Sequence, residues 1–583
     1  MTQVLIASTW LLWILSTMGI GLGLISLFRL KIQGRSELQS ALWMGFFALV
    51  IFVLILNFFS GTGKRESAWL TVVWVGVGFG ICLLWCVRRR GLIRGSLLRT
   101  FRLANWPALA LGATLLLAGF VMTSFAAAEP MDYDAGLYRM GLINYAAEYP
   151  VIPGLANLHD RFGFNSFLGP LAGLMGTGLW QGEGFRLITG FFVSALFFDV
   201  ALRTAVPRTR TPGDYFLVIA AGFVCWVVLT DSGRWIPSPA VDVIALVLTA
   251  VVIGYLADFA SSRGIAEWQI PVLVLVAALA ASVRPLAWIL IPLLLAAIVL
   301  AYRGRIRVTV RRPRFQLRIV ASLLAATLLL VIMLLRDAII SGWLLFPMSI
   351  FPLSVDWIAP DPTGTRLGIT WYARAGTNMA EAQQTGWLAE WIRSFINSQE
   401  VKAWGLLIVA SIVPLAWLRG RQAWEASWYP VLITILPPAV LTLVWFVSAP
   451  DVRFNWGGLL GISAVPLAFI LTRAAYPAWV LRSAFIALLI FGIVTNTRNG
   501  RLEPRGREPE ISMKSIFGQD LPLQLGAPNQ VSVVPGNLGD GTPIVYPAEG
   551  ENCYMVFPLC LLPGGGTTVE QRGSSIESGF RQQ

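Results

Sequence analysis

The sequence predicts an all-α polytopic membrane protein with about 13–14 transmembrane helices. Of the 583 residues, 56% are hydrophobic and only 13% are charged, and the mean hydropathy is +0.69. Soluble domains carry about 25% charged residues. Apolar runs long enough to cross a bilayer, about 18–25 residues each, recur from the first residues to about residue 495.

Hydropathy places the candidate spans along the chain as follows. They are residues 3–28, 41–60, 67–87, 104–127, 184–202, 214–230, 241–258, 268–282, 286–302, 319–335, 401–418, 428–447, 456–472 and 477–495. The run 270–302 is too long for one span and is interrupted at Arg284-Pro285, so we divide it; one long, tilted or broken helix is the alternative. The first run has no basic region before it and no small-residue cleavage site after it, which predicts a retained helix.

The basic residues predict the orientation of the chain in the membrane. The net charge is +13, and the arginines lie mostly in short loops between spans, as cytoplasmic loops do. This distribution indicates that the positive charge sets the orientation of the chain in the membrane and does not serve to bind nucleic acid. Lys64-Arg65 is the one clear exception, because this basic pair lies in a loop that the same assignment places outside the cytoplasm. The transmembrane domain, residues 1–495, would then present two large loops, 129–183 and 336–400, outside the cytoplasm, together with a partly irregular tail at 496–583.

The predicted topology restricts the chemistry of the outer loops. Chemistry on the outer face has no access to ATP or sugar nucleotides, so a glycosyl or phosphoryl donor would have to arrive on a lipid carrier. The sequence has no GxxxxGK[ST] phosphate-binding loop and no GxSxG nucleophile elbow. Its central spans carry few of the ionisable groups that ion-coupled transporters need, which counts against transport.

The polar segment 129–166 holds the densest set of reactive side chains. Asp132 and Asp134 directly follow an apolar run, where burial and nearby cations can tune a carboxylate as a general base for a hydroxyl. A solvated pair or a helix N-cap is the alternative. His159, the only histidine, lies near Arg161 and Asn165, and such a set suits hydroxyl or phosphate binding.

Other ionisable residues lie at the predicted outer ends of later spans. An aspartate at membrane depth is expensive, which makes Asp242 a candidate; Arg234 precedes it in the same turn. Arginine matches phosphate geometry, so we expect Arg284, Arg336 and Arg453 to bind a donor phosphate. The alternatives are snorkelling of Arg284 and a simple surface pair between Asp451 and Arg453.

The tail contributes a candidate disulfide. Cys553 and Cys560 enclose a short loop in a polar region, and they could pair only in an oxidising compartment. We expect the last twenty residues, GGGTTVEQRGSSIESGFRQQ, to be flexible.

This arrangement resembles the GT-C glycosyltransferases, polytopic membrane enzymes whose first large outer loop begins with acidic residues. The segments YDAGLYRM, PGLANLHDRFGFNS, SPAVD, RD…SGWLLFP…DW and CYMVFPLC resemble a largely uncharacterised bacterial membrane family within that superfamily. That family more often has His where Arg139 stands and often Lys where Arg284 stands. In plan, the chain is also similar to the type IV pilin arabinosyltransferases of Pseudomonas.

The resemblance implies an inverting or retaining glycosyltransferase in the bacterial inner membrane, with Asp134 as the acid of the first-loop motif, Asp132 assisting it and Tyr138 beside it. The donor would be a polyprenyl-phosphate sugar, for example a pentose such as arabinofuranose, and the acceptor a protein such as pilin, or a glycan. The acceptor or sugar pocket would be shaped by six side chains: Tyr138, His159, Arg161, Asn165, Arg234 and Asp242. Many such enzymes use Mg²⁺ or Mn²⁺, which Asp132 and Asp134 could help bind, although the sequence has no complete ligand set. A lipid-linked oligosaccharide polymerase or ligase, and a flippase or transporter, are the alternatives.

Overall fold

The structure, a computed structural model, is mainly helical. It describes residues 1–30, 32, 35–90, 106–205, 211–230, 234–262, 268–301, 313–375, 386–398, 401, 404–405, 428–473, 510–514, 520–525 and 530–583. The helices are α1 (Thr2–Leu27), α2 (Arg35–Phe59), α3 (Arg65–Arg88), α4 (Trp106–Ala126), α5 (Met140–Glu148), α6 (Leu168–Met175), α7 (Phe185–Ala205), α8 (Pro212–Thr230), α9 (Val241–Ser261), α10 (Gln269–Ala281), α11 (Leu290–Ala301), α12 (Pro313–Ser341), α13 (Thr363–Ala375), α14 (Trp387–Asn397), α15 (Tyr429–Ser448) and α16 (Trp456–Arg473).

Eight of the helices in the described ranges are long and apolar enough to cross a membrane, and four shorter apolar helices accompany them. The chain is therefore a multi-pass membrane protein. The predicted spans 401–418, beyond residues 401, 404 and 405, and 477–495 lie outside the described residues. The predicted interruption near Arg284 is confirmed: α10 ends at Ala281, and Arg284 has an extended backbone before Pro285. A residue that precedes proline is disfavoured in helical geometry, which explains the break.

Small residues let the first helices of the bundle pack closely. A Cβ atom added at Gly19 of α1 would lie 1.8 Å from the carbonyl oxygen of Gly78 in α3. One added at Gly21 would lie equally close to the carbonyl oxygen of Ala41 in α2. Close backbone approach of this kind is a common basis of helix association in lipid, where burial of apolar surface supplies little driving force.

The loops that the sequence predicts on one side of the membrane lie together at one end of the helical bundle, which we call the loop end (residues 57–64, 127–184, 336–362, 449–455 and 530–583). The N–H of Val151 donates to the Asn57 carbonyl at 3.0 Å, and that of Gly154 donates to the Ile339 carbonyl at 2.8 Å. The side chain of Lys64, the exception to the charge rule, lies 3.8 Å from Glu577 at this same end.

A buried ion network holds the opposite end of the bundle. Arg203 lies 3.0 Å from Asp199, 3.3 Å from Asp214 and 2.8 Å from Asp258. Its guanidinium also stacks over the Tyr255 ring at 4.7 Å. By sequence, Arg203 is one of the basic residues that directly follow a predicted span; in the structure its side chain connects α7, α8 and α9.

The described residues of the C-terminal region form three antiparallel strand pairs: β1 (Glu510–Lys514) with β2 (Asp520–Gln524), β3 (Val533–Asn537) with β4 (Pro543–Pro547), and β5 (Val569–Gln571) with β6 (Phe580–Gln582). The expectation of a flexible end is wrong for the last pair. Phe580 is fully buried, and its N–H donates to the Pro153 carbonyl at 3.0 Å. The side-chain amide of Asn157 donates to the Phe580 carbonyl at 3.2 Å. The final hairpin is therefore attached to the polar segment 129–166.

Candidate functional site

Asp132 and Asp134 of the polar segment lie in a tight turn between α4 and α5. The Asp132 carbonyl accepts hydrogen bonds from the N–H groups of Ala135 and Gly136, and a π-helical turn, Ala135–Arg139, leads into α5. Turns of this type are rare and frequently occur at functional sites. The turn places the Arg139 guanidinium against both acids, 2.6 Å from Asp132 Oδ2 and 2.9 Å from Asp134 Oδ2.

Residues from distant parts of the chain complete the cluster. Arg453 Nη1 lies 3.4 Å from Asp134 Oδ2, and Arg453 Nε lies 3.1 Å from Asp451 Oδ2. Asp242, at the start of α9, lies 3.6 Å from Arg139 and pairs with Arg284. We call this set the acid–arginine centre; its members are Asp132, Asp134, Arg139, Asp242, Arg284, Asp451 and Arg453.

The environment shifts the pKa values of the two neighbouring acids in opposite directions. Burial raises the pKa of Asp132, and the charges of Asp134 and Asp242 add to the effect, although Arg139 opposes it. Burial also acts to raise the pKa of Asp134, but Arg139, Arg453, Arg161 and Arg284 together bring it below its usual value. Asp134 is therefore held as a carboxylate. Two acids whose environments separate their pKa values are a common feature of acid–base sites.

A pocket of about 330 Å³ adjoins the centre. Arg284 and Arg453 line it, and both stack over the Phe454 ring, at 4.6 and 5.3 Å. Their side chains are 16% and 22% exposed, compared with 5% for Arg139. Arg284 and Arg453 are therefore the arginines of the centre that an entering anion can reach. Leu246, Leu286 and Leu441 form apolar parts of the same wall.

Two further predicted residues border the centre. Tyr138 is buried beside Arg139, whose Nε donates to its hydroxyl at 3.4 Å. Arg161 stacks over the rings of Tyr138 and Phe164, at 6.0 and 5.8 Å, and its charge acts on Asp134. Tyr138 and Arg161 thus form one wall of the site.

The contacts described for His159 and Arg234 are with residues close to them in sequence. His159 Nδ1 accepts a hydrogen bond from the Arg161 backbone N–H at 2.9 Å, and its ring packs against Phe162. Its contacts among the described residues are local, which supports a role in shaping the loop. Arg234 is exposed and stacks over the Trp235 ring at 4.5 Å.

Arg336, the third phosphate candidate, forms its hydrogen bonds outside the acid–arginine centre. Arg336 Nη1 donates to Asn57 Oδ1 at 2.7 Å, and Nε donates to Asn165 Oδ1 at 3.1 Å. Because Asn165 binds Arg336, it too belongs to this second location. Both Arg336 and Arg284 are arginines at predicted outer ends of spans, so the sequence alone does not distinguish them.

The tail reaches the acidic turn through its disulfide loop. Cys553 and Cys560 are joined by a disulfide. The N–H groups of Cys553 and Tyr554 both donate to the Gly136 carbonyl at 3.0 Å. A Cβ atom at Gly136 would lie 2.7 Å from the Tyr554 ring, so glycine is required for this close approach.

Comparison with known proteins identifies one family. The model of a family described as a domain of unknown function, DUF8201, matches residues 3–460. The chain belongs to the DUF8201 family. The matched region contains every member of the acid–arginine centre, whereas the disulfide loop lies beyond it. No curated protein and no solved structure matches the chain.

The acids of this DUF8201 member do not fit a metal ion well. Within the described ranges, no group of three or more His, Cys, Asp or Glu side chains is placed to hold a metal. Asp132 and Asp134 both bind Arg139 instead. A divalent cation there would have to displace a buried arginine.

Two members of the centre are missing from the sequence-based set of functional residues. From the sequence, Arg139 is noted only because the similar family more often has His at that position. Asp451 is noted only as the partner of Arg453 in a surface ion pair. The five-residue separation of Asp134 and Arg139 does not align on an ordinary α-helix, and only the wider π-helical turn brings them together. Asp451 does pair with Arg453, but that pair is part of the centre.

Proposed function

We propose that the protein is a GT-C-type membrane glycosyltransferase that transfers a sugar from a polyprenyl-phosphate carrier to a hydroxyl group of an acceptor. The observation that carries the proposal is the meeting of an ionised carboxylate, Asp134, with two accessible arginines, Arg284 and Arg453, beside a pocket at the loop end. A base and a phosphate-binding group are the two parts that such a transfer requires.

The residues have distinct roles in the proposed reaction. Asp134 takes the proton of the acceptor hydroxyl, whose oxygen forms a bond to the anomeric carbon of the sugar. The bond between that carbon and the phosphate oxygen breaks, and the carrier leaves as polyprenyl phosphate. Arg284 and Arg453 stabilise the negative charge that develops on the phosphate, as positioned cations do in phosphoryl sites. Asp132 and Arg139 orient Asp134.

The surroundings of the pocket suit a lipid-linked donor. Its wall includes Leu246, Leu286 and Leu441, and the neighbouring α15 has the exposed side chains Leu443 and Val447 on its surface. An isoprenoid chain lying along these helices would bring its phosphate to Arg284 and Arg453. The basic residues at the other end of the bundle favour a cytoplasmic location for that end, which assigns the loop end to the periplasmic face of the inner membrane.

Transfer by an Asp134→Asn variant tests the proposal. The purified protein in nanodiscs is supplied with the polyprenyl-lipid extract of its own cells, and the products are analysed by mass spectrometry. Loss of a general base reduces turnover by about 10²–10⁴-fold. We expect that loss with donor-lipid binding retained. Asp361→Asn is the matched control, since Asp361 is an exposed acid in another loop. Unchanged turnover in Asp134→Asn would overturn the proposal.

The same assay separates the alternatives. A transferase adds one sugar to the acceptor, whereas a polymerase or ligase adds a whole glycan, and the mass of the product distinguishes them. A flippase would move labelled lipid-linked sugar across proteoliposomes without altering it, and Asp134→Asn would leave that movement intact.

A further inference from the structure

A second pocket lies at the loop end. It has a volume of about 450 Å³ and is enclosed by the end of α2, the α5–α6 region and α12. Most of its wall is apolar, with Tyr145, Phe162 and Phe164 as its aromatic members. Of the described residues that line it, Arg336 is the only charged one. Apolar pockets with a few well-placed polar groups are typical ligand sites.

Arg336 is buried without a bound carboxylate. Its side chain is 4% exposed, and its two hydrogen bonds go to the neutral amide oxygens of Asn57 and Asn165. In the described part of the chain no acid forms an ion pair with it; Asp337, the next residue, acts on it only electrostatically and does not line the pocket. Arg139, Arg284 and Arg453 differ, since each contacts an aspartate.

The two amides hold Arg336 in place and leave part of it for a ligand. The Asn57 side-chain N–H₂ group donates to the carbonyls of Ala146 and Tyr149, both at 3.1 Å, and that of Asn165 donates to the Met333 carbonyl at 2.9 Å. These bonds fix both amide oxygens toward the guanidinium. A guanidinium has five N–H donors, so two bonds leave three free, including those on Nη2. Free guanidinium donors in a mostly apolar pocket favour an oxyanion.

We propose that the Arg336 pocket is a second, separate binding site that takes a phosphate group. The wall between it and the centre consists of Phe164, which lines the pocket, and Tyr138, whose ring packs edge-on against Phe164 at 5.9 Å. A ligand in this pocket would therefore be separated from the acid–arginine centre by these two rings and would bind an arginine that the centre does not use. The proposal does not depend on sugar transfer.

Titration of inorganic phosphate into the protein in nanodiscs tests this assignment, with sodium chloride adjusted to constant ionic strength. We expect saturable binding that Arg336→Gln weakens at least tenfold and that Arg336→Lys, which retains the charge but not the fork, weakens less. Arg393→Gln is the control, because Arg393 is 70% exposed on α14. It should bind phosphate as the unmodified protein does.

Two further variants keep the test decisive. Ala146→Leu fills the pocket and leaves Arg336 in place, so it should also abolish this binding even if Arg336→Gln folds poorly. Arg284→Gln removes a cation from the acid–arginine centre and should leave the Arg336 site intact. Phosphate binding that survives both Arg336→Gln and Ala146→Leu but disappears in Arg284→Gln would overturn the proposal.

The source of the phosphate is decided by the lipid in the nanodisc. If phosphatidic acid in the disc competes with inorganic phosphate at the Arg336 site, the ligand is a lipid headgroup. If it does not compete, the ligand is a soluble phosphate. Both results require binding that depends on Arg336.

Discussion

Asp134 and Arg453 are separated by 319 residues in the sequence, yet Arg453 Nη1 lies 3.4 Å from Asp134 Oδ2. One belongs to the turn after α4 and the other to the turn before α16. This contact joins the predicted acid of the first outer loop to a predicted phosphate-binding arginine. The proposed reaction needs that proximity, since the acceptor oxygen and the donor phosphate must approach the same anomeric carbon.

Gly136→Ala should disturb the acid–arginine centre, because the added methyl group would clash with Tyr554 of the C-terminal tail. Its Cβ atom would lie 2.7 Å from the Tyr554 ring, so either the acidic turn or the disulfide loop must move. Overpacking of this kind typically reduces the free energy of unfolding by about 1–3 kcal/mol. Thermal unfolding and transfer activity are measured for Gly136→Ala, for Tyr554→Ala and for the double variant. Gly119→Ala, with nothing within 4 Å of its added Cβ, is the control.

Recovery in the double variant would show that the ring and the methyl group compete for one space. If Gly136→Ala behaves like Gly119→Ala, the tail does not constrain the acidic turn as described.

Loss of the disulfide should loosen the loop that covers the turn. Replacing both Cys553 and Cys560 by serine removes a cross-link that closes a short loop, which reduces stability by about 2 kcal/mol in the chain-entropy estimate. The melting temperature should fall, and reductant should lower that of the unmodified protein to the same value. Cys86→Ser, at a free and half-buried cysteine, is the control. A double variant that melts as the unmodified protein does would contradict the prediction.

Asp132 should control the acid side of the pH profile. Burial raises the pKa of Asp132 above its ordinary value of 3.8, and the neighbouring arginines hold that of Asp134 below 3.8. As the pH falls from neutrality, Asp132 therefore takes a proton first and loses its charge opposite Arg139, while Asp134 remains ionised. As the pH is lowered, the transfer rate should therefore begin to decline before the pH reaches 3.8.

Asp132→Asn imitates the protonated state at every pH. Its transfer rate should be low at neutral pH and should lack the acid decline that begins above 3.8. A variant that keeps the full decline of the unmodified protein would show that another group titrates.

Arg203→Met should destabilise the fold without a specific effect on the reaction. It leaves Asp199, Asp214 and Asp258 buried near one another without their shared cation. Removing one partner from a buried ion network typically reduces stability by about 3–5 kcal/mol. Thermal unfolding measures the loss, with the exposed Arg393→Met as control. At a temperature where Arg203→Met remains folded, donor-lipid binding should be normal; a selective loss of binding would contradict a purely structural role.

The sequence predicts the coarse architecture well because hydropathy is a local property. The break at Arg284-Pro285 follows from the restriction that proline places on its neighbour, and the structure has it. Charge bias likewise groups the turns of Asp134, Arg284 and Arg453 at one end, where the structure brings them into one centre.

The sequence does not predict which side chains become partners of one another, and the errors in the candidate site come from that. Arg336 and Arg284 are both arginines at predicted outer ends of spans, and they differ in their partners: Arg336 binds the amides of Asn57 and Asn165, whereas Arg284 pairs with Asp242. Arg203 is counted as a loop cation because its three acids come from three different helices. The tail contacts Gly136 through residues more than 400 positions later in the sequence, and no local sequence pattern predicts such a contact.

The position of a bound donor tests the central claim most directly. We predict that a cryo-electron microscopy map of the protein in nanodiscs with a polyprenyl-phosphate analogue will show the phosphate within hydrogen-bond distance of Arg284 or Arg453, with its first sugar-equivalent atom facing Asp134. Density for that phosphate at the Arg203 end of the bundle, or only in the Arg336 pocket, would contradict the account.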